Sequence, residues 1–311
     1  MVDKLAEPPV SIADSSPTRP RGVSARDTEP VRKRSDPAWA LLDNEARDSR
    51  SVMDFAVFRL SKRCRRAGET IRYELPAGYI EVSSGPAGMA SVWDYDLVLM
   101  MVSIVNAAMN RYRAGKGKKP DRVVRPRIAD IIRYCHRGRG GRQHSELVEA
   151  CRRLNTTNIS MFRTVKTKRG RVVRVSKGEP LISRYEITEN CAGIPEKIEM
   201  ELNTWMYREI TEGVTPEVLT VHPNYFLIDG GIARFVYRLA RQKAGIGRAA
   251  WLFSTVYRHS GSAGTLKEFC RALRRLIAAD DLPDYRLAEG KGRQGPLLKM
   301  TFRGKTSSGC E

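Results

Sequence analysis

The sequence predicts an α+β chain in which one small module is used twice, and two observations carry that prediction. The first is a repeated stretch: Glu146-Leu-Val-Glu-Ala-Cys-Arg-Arg-Leu154 returns 122 residues later as Glu268-Phe-Cys-Arg-Ala-Leu-Arg-Arg-Leu276. The lead-ins match as well, because Tyr134-Cys-His136 and Tyr257-Arg-His259 each run through glycines to the repeated segment, the second one residue shorter. The second observation is that each copy precedes a strand-like stretch that turns at a basic, glycine-containing tip and returns. Helix, glycine turn, basic helix and hairpin, twice over, is the plan of two tandem winged helices.

The elements are taken in order along the chain. Residues 1–37 carry six prolines among Ser, Thr and balanced charge, with little to bury, and read as a disordered leader that runs to residue 53. Folded structure is expected from Asp54, with a strand pair between Ile71 and Val82 turning at Pro76-Ala-Gly78. Asp94 stands as a cap before the apolar run Leu97–Val105, which only Ser103 interrupts; at nine residues it is a core helix and too short for a membrane span. A short helix over Arg127–Tyr134 carries Ile128, Ile131 and Ile132 on one side. In the first repeated helix, steps of 100° place Leu147, Val148, Cys151 and Leu154 on one face. Strands are then expected at Thr156–Phe162, Val172–Val175 and Leu181–Ile187, the first two joined by the basic tip Lys166–Arg171.

The second half repeats the plan with less charge. A strand at Ile198–Leu202 leads to a helix at Trp205–Ile210 and a short strand at Val218–Val221. Helices are expected next at Ile232–Ala244, Trp251–His259 and Thr265–Ala279, the last with Leu266, Phe269, Leu273, Leu276 and Ile277 on its apolar face. A hairpin of Tyr285–Leu287 and Leu297–Phe302, turning at Glu289–Gly295, closes the chain. The expected domains are 54–190 and 191–303, with 304–311 as a tail.

Charge points to the partner. The formal net charge is +20, yet residues 1–50 hold nine basic and nine acidic side chains, so the whole excess lies beyond them. Residues 111–177 hold 21 Lys or Arg against four acids, a local net of +17 that attracts polyanions. A helix can enter the major groove and read bases with Arg, while a basic hairpin touches phosphate. The base-reading candidates are therefore Arg142, Ser145, Arg152 and Arg153 from the first helix, and Lys267, Arg271, Arg274 and Arg275 from the second. Arg153 lies on the flank, where it can equally pair with Glu149. Arg139, Lys166, Lys168, Arg169, Arg171, Lys291 and Arg293 are candidates for backbone contact.

Other chemistry is poorly represented. The six cysteines are at least 16 positions apart and form neither a metal clip nor a disulfide framework. Gly138-Arg-Gly-Gly-Arg142 lacks the Gly-Lys-Ser/Thr ending of a phosphate loop. No His-x-His pair accompanies a nucleophilic tyrosine, although Tyr225 next to His222 is the nearest approach to a nicking site. The expectation is a non-enzymatic, cofactor-free and metal-free protein of the cytoplasm, with no membrane segment.

The order Phe58-Arg-Leu-Ser-Lys-Arg63, Gly88-Met-Ala-Ser-Val-Trp-Asp94, Gly140-Gly-Arg142, Trp205-Met-Tyr207, Tyr225-Phe226, Tyr237-Arg-Leu-Ala-Arg241 and Phe269–Leu276 resembles the replication initiator protein A family of bacterial plasmids, over residues 54–303. The resemblance implies a plasmid initiator that binds repeated sites in double-stranded origin DNA. It further implies melting of an adjacent segment, recruitment of host replication proteins such as a helicase or initiator, and repression of its own promoter, commonly as a homodimer. It supplies no catalytic residue. A winged-helix transcriptional repressor without initiator activity is the alternative, and a general nucleic-acid coat a more distant one.

Overall fold

Two three-stranded sheets in the computed structural model, which describes residues 46–136, 141–166 and 170–304, have the same connectivity. In the first half the order is α1 (Asp96–Arg113), β4 (Val123–Val124), α2 (Ile128–Tyr134), α3 (Gly141–Thr156), β7 (Ile182–Glu189) and β8 (Pro195–Leu202). In the second it is α5 (Gly231–Lys243), β10 (Arg248–Leu252), α6 (Phe253–Ser260), α7 (Leu266–Ala279), β11 (Tyr285–Gly292) and β12 (Gly295–Phe302). The strands pair antiparallel as β4-β8-β7 and as β10-β12-β11, so each set places its last strand in the middle. The central strands bury alternate residues, Ile198, Met200 and Leu202 in one and Leu298 and Met300 in the other, as a sheet packed on one face requires.

The sequence repeat is also a repeat of burial. Leu147 and Cys151 in α3 occupy the register of Phe269 and Leu273 in α7, and all four are buried. Leu266 departs from the expected apolar face and is exposed, because Thr265 caps α7 immediately before it and the first turn stands clear of the core. The short strand β10 has no clear sequence signal, since Trp251 at its end looks equally like the start of the helix after it.

Between the two modules lie α4 (Thr204–Thr211), β9 (Val218–Val221) and a 3-10 turn over Pro223–Leu227. β9 pairs antiparallel with β1 (Ala46–Ser49), which runs along α1. Residues 46–53, expected in the leader, are thus part of the fold: Ala46, Asp48, Ser49, Val52 and Met53 are all buried. The polar interruption of the apolar run has a role here, because the Arg47 N–H donates to Ser103 Oγ at 2.8 Å. Residues 1–45 and 305–311, which hold the rest of the leader and the tail, lie outside the described residues.

The first half carries one further layer. β2 (Thr70–Leu75), β3 (Gly78–Ser83), β5 (Asn158–Lys166) and β6 (Val172–Pro180) form a four-stranded antiparallel sheet in the order β2-β3-β5-β6. The hairpin with the basic tip therefore belongs to this extra sheet and not to the repeated one, whose hairpin is β7–β8. The expected boundary at 190 and 191 falls in the turn of that β7–β8 hairpin, so hydrogen bonds cross it.

Buried ion pairs join α5 to the first half. Arg238 Nε donates to Asp48 Oδ2 at 2.6 Å, and both side chains are wholly excluded from solvent. Tyr95 Oη donates to Asp48 Oδ1 at 3.0 Å, and the guanidinium lies over the rings of Phe58 and Tyr95. One turn earlier, Arg234 Nη1 donates to both Asp96 oxygens at 2.7 and 2.9 Å, while its other nitrogens donate to the carbonyls of Ile228 and Phe226. Burial alone would lower the Arg238 pKa, but Asp48 together with Tyr95 and Tyr225 outweighs it and the guanidinium is held above its usual value. The start of α5 packs so closely that a Cβ on Gly231 would collide with the Leu60 carbonyl.

Removing one partner of such a pair strands the other charge without water. We expect Arg238→Ala to lower stability in urea by about 3–5 kcal/mol, while the paired change Arg238→Met with Asp48→Leu recovers most of the loss. A single variant as stable as the parent would mean the pair contributes nothing to the folded state.

Candidate nucleic-acid interface

Helix α7 is built to present charge. Thr265 and Glu268 form a reciprocal capping box that fixes its start, and Phe269 and Leu273 anchor its apolar stripe. Lys267, Arg271, Arg274 and Arg275 are all exposed on the remaining surface. Arg274 is held from the hairpin, its Nε and Nη2 donating to the two oxygens of Glu289 on β11 at 3.0 and 2.9 Å. The hydrogen bond from Arg274 lowers the Glu289 pKa, and Glu289 in turn raises that of Arg274. Among the described residues Lys267, Arg271 and Arg275 form no ion pair, and all three are exposed to solvent. The β11–β12 hairpin turns at Arg293-Gln294, with Lys291 and Arg293 exposed.

Helix α3 is the weaker copy. Arg142 pairs with Glu146 at 3.0 Å, Arg152 with Glu149 at 3.7 Å, and Ser145 is exposed. Arg153 does not face outward. Its Nε and Nη2 donate to the two Asp94 oxygens, both at 2.8 Å, and only 17% of its side chain is exposed. Asp94, expected to cap the following helix, also accepts from the Ser91 N–H at 2.8 Å, while Tyr95 occupies the cap position of α1. Burial would raise the Asp94 pKa, but the hydrogen bonds and charge of Arg153 outweigh it and lower it. The flank position had suggested Glu149 as partner, and nothing local in the sequence links residue 153 to residue 94.

The two hairpin tips differ. In the repeated sheet of the first half the tip is Asn190-Cys-Ala-Gly-Ile194, uncharged, with the Asn190 side chain accepting from the N–H groups of Ala192 and Ile194. The basic residues sit on the extra sheet: Lys166 closes β5 opposite Val172, and Arg171 is exposed just before β6. Arg139, Lys168 and Arg169 lie outside the described residues. Glu289 is the site residue that sequence reasoning passed over; its signal was its place at the start of the hairpin turn, opposite a basic helix. Among the described residues no group of three or more His, Cys, Asp or Glu stands together as a metal site, and no helix is long and apolar enough to cross a membrane.

Comparison with known proteins gives this arrangement its setting. The family profile of replication initiator protein A matches residues 47–287. The chain belongs to that family. A protein of Wigglesworthia glossinidia brevipalpis described as "Putative replication protein" is 28% identical over 243 residues, covering 76% of this chain and 82% of the relative. Among solved structures, domains 2 and 3 of RctB superpose with a TM-score of 0.55 at 11% identity, covering 82% of this chain and 98% of that one. A second crystal structure of RctB domains 2–3 superposes at 0.49 with 10% identity, over 81% of this chain and 95% of that one. At such identity the likeness concerns the fold, a mixed arrangement of helices and sheets that the initiator shares over most of its length.

The Asp94–Arg153 pair links the initiator's stability to acid. A carboxyl whose folded pKa is depressed contributes stability above its unfolded value, about 4, and loses it as pH falls through the folded value. We therefore expect Asp94→Asn to be the less stable form at pH 7, with the gap in urea midpoint closing as pH falls below about 4. A gap that stayed constant from pH 7 to pH 3 would remove Asp94 from the acid response.

Proposed function

We propose that this replication initiator is a tandem winged-helix DNA-binding protein, in which α7 reads bases in the major groove and the β11–β12 tip holds the backbone. The observation that carries the reading is the solvent face of α7, where Lys267, Arg271 and Arg275 are exposed and, among the described residues, form no ion pair, beside a hairpin tip bearing Lys291 and Arg293. A helix capped by a box and anchored by Phe269 and Leu273 holds such side chains in a fixed register, which base readout needs. In support, the first half has the same connectivity, and two modules on one chain span adjacent segments of a duplex. Arg142, Ser145 and Arg152 of α3 are the corresponding set. Their ion pairs with neighbouring glutamates must open for contact, so α3 contributes less base discrimination than α7. Arg153 has a structural role, in the pair with Asp94.

In this reading the protein binds repeated sites at a plasmid origin, promotes opening of the adjacent duplex, recruits host replication proteins and represses its own promoter. It does so in the cytoplasm without a catalytic step, a cofactor or a metal. The geometry disfavours the rival tyrosine nuclease, because Tyr225 is fully buried and burial raises its pKa, away from any scissile phosphate.

The test is footprinting of the full chain on DNA upstream of its own coding region, at about 150 mM salt with excess competitor. Protection of evenly spaced direct repeats is the expected result. A single protected inverted repeat over the promoter would replace the initiator activity by repression, and no specific protection would overturn sequence-selective binding.

The division of labour makes a separate expectation. Arg271→Ala and Arg275→Ala should each reduce discrimination between the site and a mismatched duplex by about 1–3 kcal/mol. Neutralising Lys291 and Arg293 should weaken binding to all duplexes and lower the slope of log K against log salt by about one per contact. Equal and sequence-blind losses from both sets would refute the division.

A further inference from the structure

The two repeated sheets share their connectivity but not the charge of their outward faces. Aligned on the buried Met200 and Met300 of their central strands, β4-β8-β7 and β10-β12-β11 correspond residue by residue in register. One face of each packs on helices, and alternate residues point the other way. On the outward face of the first sheet stand Glu186, Glu199 and Glu201, each paired with arginine. Arg125 Nε lies 2.7 Å from Glu199, Arg184 lies 3.7 Å from Glu201 and 3.8 Å from Glu186, and Arg122 also pairs with Glu201.

In the second sheet the positions of these three glutamates are held by Ala288, Lys299 and Thr301, so the corresponding face carries no carboxylate. Arg248 stands where the first sheet has Val123. Arg248 and Lys299 are exposed and form no ion pair among the described residues, while Arg286 beside them lies 3.6 Å from Asp280. Small residues keep the face flat. Ala250 and Ala288 flank Lys299, and a Cβ on Gly290 would come to 2.5 Å from Lys299 Cε, so the lysine stem lies across that glycine. Further along the same face Leu252 stands opposite Leu297, both half-buried. Four residues of strand separate Arg248 from Leu252, about 13 Å, and three strands make the surface about 10 Å wide. Helix α7 lies on the other side, because Glu289, which alternates with Ala288 and Gly290, holds Arg274. A duplex seated on α7 leaves the outward face uncovered.

We propose that the outward face of β10-β12-β11 docks an acidic segment of a partner protein, with carboxylates on Arg248 and Lys299 and apolar side chains on Leu252 and Leu297. Charge alone would serve phosphate as well, but a duplex brings only phosphate and sugar to the leucines, whereas a protein segment covers both ends of the face. The width matches one helix, about 10–12 Å across. A second copy of the chain is a poorer occupant, since the carboxylates on its first sheet are already paired. The second module thus takes protein on one side of its sheet and DNA on the other. The inference rests on the DNA-binding reading only for that simultaneity.

The test uses the full chain and two labelled peptides of about 12 residues, roughly 18 Å if helical, followed by fluorescence anisotropy. One carries Asp and Glu in its first half and Leu and Phe in its second; the other has Asn and Gln in place of the acids. The acidic peptide should bind more tightly than its amide counterpart, with and without saturating duplex. Lys299→Glu, which installs the first sheet's residue, should weaken the acidic peptide by about tenfold, and Lys299→Arg should retain it. Leu297→Gln should weaken both peptides. Arg271→Ala with Arg275→Ala should leave peptide binding unchanged. Equal affinity for the two peptides, equal losses from the Lys299 and α7 variants, or displacement of the peptide by duplex would overturn the docking face. A failed footprint with intact, Lys299-dependent peptide binding would leave the docking face standing and count only against duplex recognition.

Discussion

Arg234 and Arg238 stand one turn apart on α5, in the middle of a stripe that also buries Phe235, Val236 and Leu239, and each is neutralised by an aspartate from the first half of the chain. A hydrophobic stripe would tolerate sliding or rotation of α5 by a residue; a fork of guanidinium donors on a fixed carboxylate tolerates neither. The placement of the second module's first helix, and with it the direction of α7 and its hairpin, thus depends on two ionic contacts. Dry ion pairs of this kind are weak sources of net stability, because desolvation cancels most of the attraction. What they add here is a single geometry for α5 against β1 and α1.

The repeat of secondary structure was legible because it rests on local pattern. The spacing of Leu147, Cys151, Phe269 and Leu273, the turn at Pro76-Ala-Gly78 and the start of the last helix at Thr265 each need only a few neighbouring residues, and each stands where expected. Long-range pairing was not legible. The basic hairpin looks like part of the repeated module because it comes directly after α3, but its partner is β3, some eighty residues earlier. Asp94 resembled a cap because it precedes an apolar run, and its real partner is 59 residues away. The proline-rich leader is shorter than the sequence suggests for the same reason: Asp48 has no local cue for burial, and only α5 supplies one.

The candidate site divides likewise. Exposure of Lys267, Arg271, Arg274 and Arg275 followed from helical periodicity, whereas the pairing of Arg274 with Glu289 needed the fold of the hairpin over the helix. Of the two copies, only the second has a charged tip on the repeated sheet; in the first that tip is the uncharged Asn190–Ile194, and the basic hairpin belongs to an added layer. Duplicated modules that keep one topology while redistributing charge can take different contacts with the same polymer.

The Asp48–Arg238 contact spans 190 residues of chain, which matters during synthesis. Asp48 leaves the ribosome before its partner exists, and at about 5–20 residues per second it waits roughly 10–40 s for Arg238. Over that interval β1 also lacks β9, so the first half emerges with one edge unpaired and a carboxylate that prefers water to burial. Completion of the first module is thereby deferred until α5 has been translated, and a chain truncated before α5 would leave the ribosome without the cation that allows its N-terminal strand to dock.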